Sequence, residues 1–268
     1  MLALRDRQDQ LRRVFLLDKW YGDVVTAQGS GAIVYAARLR WGPLRLGYGA
    51  TLALTDADAP ISSATVRRVA MPQLEARTAT WRNTTLQADA RWSRDAAPIE
   101  CCLLDGPDGA IRWQCHMPRA VARVQIGSTI LEGLGYIEQV QLTIPPAKLP
   151  FRGGALRWGR YLSSRHAIVW IEWTAPGGDA RQWAWLDGVE QPGLGSLDRG
   201  WRLVFHESRA LRNQPLLTTI GLPLPKLARR LAGVLAAARE HKRLSRAALV
   251  NGAGVLDEGW AIHEEVLW

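Results

Sequence analysis

Gly133-Leu-Gly-Tyr-Ile-Glu-Gln-Val-Gln-Leu-Thr-Ile144 decides the fold, together with Leu156-Arg-Trp-Gly-Arg-Tyr161 and His166-Ala-Ile-Val-Trp-Ile-Glu-Trp173 beyond a proline-rich crossing. All three vary with a period of two rather than 3.6, which is the signature of strands. In the first, Tyr136, Glu138, Val140 and Leu142 share one face. In the third, His166, Ile168, Trp170 and Glu172 fall on one face, and Ala167, Val169, Ile171 and Trp173 on the other. Both faces are largely apolar, so this strand is expected to be covered on both sides. Ionisable groups inside such runs break the local rule, and breaks of this kind mark a satisfied core network or a site.

Outward from this stretch the same period continues. Ile33, Tyr35, Ala37 and Leu39 alternate with Val34, Ala36, Arg38 and Arg40 up to a Trp41-Gly-Pro43 turn. Leu44 to Leu54 alternates on the way back, which makes an antiparallel hairpin. Ile99–Asp105 and Ile111–Met117 flank Gly106-Pro-Asp-Gly109, whose residues suit a turn. Downstream, Arg181–Leu186, Trp201–Glu207, Leu216–Gly221 and a closing Gly259–Trp268 read as further strands, with Asp187-Gly188 as a turn. Leu11, Val14, Phe15 and Leu16 predict a brief helix within residues 1–19. Leu224, Leu227, Leu231, Val234, Leu235 and Ala238 form one stripe behind Pro225, which predicts an amphipathic helix over 225–241. The expected fold is all-β: two consecutive antiparallel barrels or sandwiches, residues 1–125 and 126–268, with one helix near the C-terminus.

The formal charge is +9, and residues 225–246 supply +6 of it through Lys226, Arg229, Arg230, Arg239, Lys242, Arg243 and Arg246 against Glu240. With 30 Arg to 4 Lys and no basic–aromatic interleaving, nucleic acid is not an expected partner. The basic helix 225–246 has two readings: a solvated face, or a peripheral contact with anionic membrane. Asp6 and Asp9 stand where a signal peptide needs an apolar core, and no run reaches the length of a span, so a cytoplasmic location is expected. Cys101, Cys102 and Cys115 lack metal-ligand spacing, and neither a Gly-x-Ser-x-Gly elbow nor a phosphate loop occurs. No metal and no cofactor are expected. Thirteen Trp against three Phe favour aromatic walls as well as aromatic filling.

What remains is acid–base chemistry. A Glu138 carboxyl aimed into an apolar interior has its pKa raised by desolvation, as a general acid requires. The other reading pairs Glu138 with Arg160 as a structural ion pair. Trp158 and Arg160 share a face, and a buried Arg160 must find a carboxylate or carbonyl. Glu172 needs a partner too. In the last strand Glu264 is expected to point inward with Trp260, Ile262 and Val266, and His263 outward. His166 is expected at a rim, and His116 in a core.

Trp20-Tyr-Gly-Asp23, Gly31-Ala-Ile-Val-Tyr35, Gly133-Leu-Gly-Tyr-Ile-Glu138 and Leu156-Arg-Trp-Gly-Arg160 together resemble the lipocalin-like, calycin-type two-barrel group around carotenoid 1,2-hydratase (hydroxyneurosporene synthase) and the AttH-like proteins. The resemblance implies that the Gly133–Glu138 strand opens the second barrel and faces a cavity. It also implies cofactor-free, acid-assisted addition of water to an isoprenoid double bond, or a related polyene cyclisation. Gln139-Val-Gln-Leu142 departs from the Asn-Trp-Gly expected after the acidic residue in the hydratases.

Three functional expectations follow, the last of them a scaffold with a filled core and only a structural role. The first is an acid–base enzyme, a hydratase (hydro-lyase) or cyclase, that hydrates, cyclises or isomerises an apolar isoprenoid-, carotenoid- or polyketide-like substrate. Glu138 would donate the proton, Tyr136 and Arg160 would orient it, and Trp158, Trp170 and Trp183 would line the cavity with Glu172 and Glu264. The second is a non-catalytic carrier of the same apolar ligands.

Overall fold

A computed structural model describes residues 15–55, 60–66, 69–149, 153–215 and 238–268. Ten strands build the first sheet: β1 Phe15–Val25, β2 Gly31–Trp41, β3 Leu44–Leu54, β4 Ile61–Thr65, β5 Gln73–Leu74, β6 Thr78–Asn83, β7 Ala88–Arg94, β8 Ile99–Gly106, β9 Gly109–Ile126 and β10 Thr129–Leu142. Seven build the second: β11 Ala155–Leu162, β12 Ala167–Thr174, β13 Ala180–Leu186, β14 Val189–Gln191, β15 Arg202–Pro215, β16 Arg239–Asn251 and β17 Gly254–Leu267. All their pairings are antiparallel.

The first sheet runs β4-β3-β2-β1-β10-β9-β7-β6-β5 with β8 also on β9, and the second β14-β13-β12-β11-β17-β16-β15. In each, the first and last strands of the segment pair with one another: β1 with β10, and β11 with β17. Chain neighbours therefore follow one another around a ring, which is the logic of an up-and-down barrel. Asp187 and Gly188 both have positive φ (52° and 83°), the mirror-image turn that matches strand twist in the β13–β14 hairpin.

Alternation along the strands sorts the apolar residues into three cores. Trp20, Val24, Ala36, Trp81, Trp92 and Val124 pack within the first sheet's own curve. Tyr161, Ile168, Trp170, Leu186, Ala247 and Ala261 do the same in the second. The largest cluster draws on both: Tyr21, Tyr35, Trp113 and Tyr136 from one sheet meet Trp158, Trp173, Trp185, Leu244 and Ile262 from the other. The facing surfaces of the two sheets are thus joined by a continuous apolar layer.

Three expectations change. β10 does not open a second barrel; it completes the first sheet between β1 and β9, so the chain passes between sheets after Leu142 and position 125/126 falls in the β9–β10 hairpin. Phe15–Lys19 belong to β1 rather than to an N-terminal helix, and residues 1–14 lie outside the described residues. The C-terminal amphipathic helix is overturned where it can be seen: Arg239–Asn251 is strand β16, hydrogen-bonded to both β15 and β17. Glu240, Lys242 and Leu244 are buried on one face of that strand, so residues 239–251 follow a period of two. Residues 225–237 of that helix, and 216–221 of an expected strand, lie outside the described residues. Among the described residues the only helical turns are three of three residues each. The cationic helix face offered for membrane contact is therefore absent from 239–246, where Lys242 is buried and ion-paired. No helix among the described residues is long and apolar enough to cross a membrane.

Candidate functional site

Two glycines let β10 carry its polar residues into the layer between the sheets. A Cβ at Gly133 would lie 2.1 Å from the Val25 carbonyl oxygen, and one at Gly135 2.5 Å from that of Asp23. That bareness admits the Trp92 indole, whose N–H donates to the Asp23 carbonyl at 2.8 Å. Opposite Gly135–Glu138, β9 carries extra residues, so the register shifts twice. Such bulges re-aim side chains. Trp113 and Cys115 consequently face the inter-sheet layer, while Met117, Ala120 and Ala122 face the first sheet's own core.

Glu138 is the centre of this arrangement. Its Oε2 accepts three hydrogen bonds: from Trp113 Nε1–H at 2.5 Å, Tyr136 Oη–H at 2.7 Å and Trp158 Nε1–H at 3.1 Å. Oε1 has no protein donor among the described residues. Burial raises the Glu138 pKa above the ordinary carboxylate value, and the bonds from Trp113 and Tyr136 offset this only in part. The donors are themselves held. Trp113 stacks on Trp185 across the sheets at 4.9 Å and 22°, and Trp158 meets Tyr21 and Tyr136 edge-on at 4.9 and 5.7 Å.

Arg160 does not reach Glu138. Its Nε and Nη2 hold Asp23 bidentately at 3.0 and 2.7 Å, and Nη1 donates to the Trp260 carbonyl at 3.0 Å. Both side chains are 0% exposed, and Tyr21 Oη–H adds a bond to Asp23 at 2.8 Å. This planar fork satisfies a buried carboxylate completely, leaving Glu138 without a cationic hydrogen-bond partner.

A second polar knot lies beside the first. Lys242 pairs with Glu264 and, at 3.3 Å, with Glu240, which also meets Arg212 at 3.4 Å. Its ammonium stands 5.3, 5.7 and 5.6 Å from the ring centres of Tyr21, Tyr35 and Trp158. Burial alone would lower the Lys242 pKa, but Glu264, Tyr35 and Glu240 outweigh it and keep the amine charged. Burial likewise works to raise Glu240, and Lys242 and Arg212 overcome it to bring that carboxyl down to about 2. Trp158 links the knots, with its N–H on Glu138 and its ring near Lys242.

Of the residues expected from sequence, Glu138, Tyr136 and Trp158 come together by direct contact. Arg160 and Glu264 share the inter-sheet layer but serve Asp23 and Lys242. Glu264 lies on the inward face of β17 with Ile262, and His263 on the opposite one with Ala261. Trp183 packs at the edge of the layer, tilted against Trp173 at 6.5 Å. Trp170 points the other way, into the second sheet's own core, where its ring fills the space a Cβ at Gly159 would take. Glu172 shares that face and pairs with the exposed Arg157 at 3.4 Å. His116 stacks on Trp20 at 4.7 Å.

Sequence reading gives no site role to Trp113, Trp185, Asp23, Tyr35 or Lys242. Asp23 carried a signal, being an acid within the apolar Tyr21–Val25 run. Lys242 was concealed by the helix assignment. A polar surface hollow of about 350 Å³ at Arg82, Asn83, Gln87 and Gln125 shares no residue with either knot.

No family model matches the chain, and no curated protein matches its sequence. Solved structures do match by fold. CghA bound to Sch210972 aligns over 94% of this chain and 88% of its own, with a TM-score of 0.53 at 12% identity. Kievitone hydratase from Nectria haematococca aligns over 93% and 88% (TM-score 0.51, 10% identity). A protein named as an AttH from Nitrosomonas europaea aligns over 95% and 92% (TM-score 0.50, 10% identity). The chain thus shares its fold with CghA, kievitone hydratase and the AttH from Nitrosomonas europaea along nearly its whole length.

Proposed function

We propose that the protein is a cofactor-independent proton-transfer enzyme acting on an apolar isoprenoid- or polyketide-like substrate, with Glu138 as the acid. The observation that carries this reading is the asymmetry of that carboxyl. With three donors on Oε2, the proton of the neutral acid belongs on Oε1. Burial keeps it there at a pH where an ordinary carboxyl has lost it. Once the proton leaves for an sp² carbon, the new carboxylate meets three donors already in place, so the product of the transfer needs no reorganisation. The cation left on carbon is of the kind that aromatic faces stabilise. Water addition followed by proton loss completes a hydration; loss of a different proton completes an isomerisation or, after ring closure, a cyclisation. Each returns a proton to Glu138 and changes no oxidation state overall. Kievitone hydratase, one of the proteins sharing this fold, carries a name that fits such chemistry.

In this reading Tyr136, Trp113 and Trp158 hold the acid, while Arg160 acts at one remove by fixing Asp23 and, through it, Tyr21. The test is ligand screening by native mass spectrometry, followed by incubation of bound isoprenoids in D₂O. The wild type is expected to place deuterium on substrate carbon. Glu138→Gln is expected to lower that rate by about 10²–10⁴-fold while ligand binding persists. Equal incorporation by the variant refutes the acid role, and binding without incorporation by the wild type makes the protein a carrier.

A further inference from the structure

The three donors on Glu138 Oε2 come from different parts of the molecule. Tyr136 precedes it by two residues on β10, and its hydroxyl bond spans that short distance along the strand. Trp158 reaches across from β11 of the second sheet. Trp113 lies on β9, next to β10, yet its own sheet does little to direct its N–H. Its cross-strand neighbours there are Val140 and Cys101, and neither side chain offers a flat surface. The second side-chain torsion of Trp is broad, with no sharp minimum to hold the ring. A flat apolar face laid against the indole restricts it.

That face is supplied by Trp185 of β13. The two rings stack at 4.9 Å with 22° between their planes, and Trp113 and Trp185 are buried, at 1% and 5% exposure. The stack crosses the inter-sheet layer and ends in the 2.5 Å bond to the carboxyl. Burial raises the Glu138 pKa, and the Trp113 bond is the largest influence against that rise.

We propose that Trp185 is a positioning residue for Glu138: its indole fixes the Trp113 ring so that Nε1–H stays aimed at Oε2 whether the carboxyl is protonated or ionised. The second sheet then governs two of the three donors, Trp158 directly and Trp113 through the stack, although the acid itself belongs to the first. The use of this device in proton transfer rests on the Glu138 reading, whereas the positioning itself requires no turnover.

Carbon-13 NMR of the Glu138 carboxyl, followed against pH together with the nitrogen-15 signal of Trp113 Nε1–H, tests this on the ligand-free protein. In the wild type the indole signal is expected to shift at the same pH as the carboxyl it binds. Trp113→Phe deletes the donor and keeps a ring in the stack. It is expected to move the Glu138 midpoint upward, because a carboxylate that loses a donor is held less firmly in its charged form. Trp185→Leu is expected to move the midpoint in the same direction, and Trp185→Phe, which keeps a flat face, to leave it at the wild-type value. A purely structural Trp185 would lower the Tm in both of its variants and leave the midpoint unmoved, and that result overturns the proposal. A wild-type indole signal that ignores the carboxyl titration overturns it too, even where Trp185→Leu does not fold. Deuterium incorporation reports separately on the acid: a carrier without turnover would still show these midpoints, and an enzyme whose midpoint does not move would keep its acid and lose only this role for Trp185.

Discussion

Asp23 and Arg160 are a fully buried ion pair, and such a pair is worth less for its attraction than for what its loss exposes. Removing one partner strands a charge in an apolar layer, which costs about 3–5 kcal/mol. Arg160→Met is expected to lose stability on that scale in urea unfolding, and Asp23→Leu added to it is expected to restore most of the loss. Additive damage from the two substitutions would show instead that each residue acts through separate contacts. Asp23 also anchors Tyr21 Oη, whose ring borders Lys242, Tyr35 and Trp158. Near the site, Arg160→Met is therefore expected to loosen ligand binding through Tyr21, without the specific loss of proton transfer that marks Glu138→Gln. The expectation that Glu138 and Tyr136 share a face needed only the strand period. The identity of their partners did not follow from it: Trp113 and Trp158 come from two other strands.

At the scale of elements, β16 and β17 show how a strand sorts its charges. Lys242, Glu240 and Glu264 go to the inter-sheet layer, and His263 goes to the other face, where Ser245 Oγ meets its Nε2 at 2.9 Å and Phe205 packs on it at 4.8 Å. Burial, with Arg243 and Lys242 nearby, lowers His263 from 6.5 to about 4. The unfolded chain then binds a proton on this ring between about pH 6.5 and 4 that the folded chain refuses, so stability falls as pH is lowered through that window. Plotted against pH, the Tm of His263→Asn is expected to decline less steeply there than that of the wild type. Parallel curves would mean that the imidazole is protonated in the fold. Below pH 4.5 the loss continues from Glu240, whose carboxyl is held down to about 2 and must be protonated for the pair with Lys242 to break. The same strand explains why the helical reading fails at 239–241. A run with both apolar and cationic residues satisfies either period when a strand buries its charged residues in pairs, and only the partners on β15 and β17 decide between them.

Across the whole molecule, the inter-sheet layer joins two sheets that each possess a core of their own. Trp185 is its most direct coupling, stacked on the indole that binds Glu138. Trp185→Ala is expected to cost about 3–5 kcal/mol. Hydrogen exchange should show amides of β9 and β10 losing protection together with those of β12 and β13; loss confined to the second sheet would make the sheets independent. The amino-acid sequence by itself determined the all-β class, most hairpins, and the faces of β10 and β17. These depend on alternation and turn chemistry within a few residues, where covalent geometry fixes which side chains are neighbours. Tertiary structure decided that β10 completes the first sheet, that Arg160 serves Asp23 rather than Glu138, that Trp170 and Glu172 face away, and that Tyr35 stands beside Lys242. Arg160 and Asp23 are separated by 137 residues of chain, and Trp113 and Glu138 by 25. Contacts of that range arise only when strands pair and sheets pack, and a periodic pattern holds no information about which strand will lie opposite.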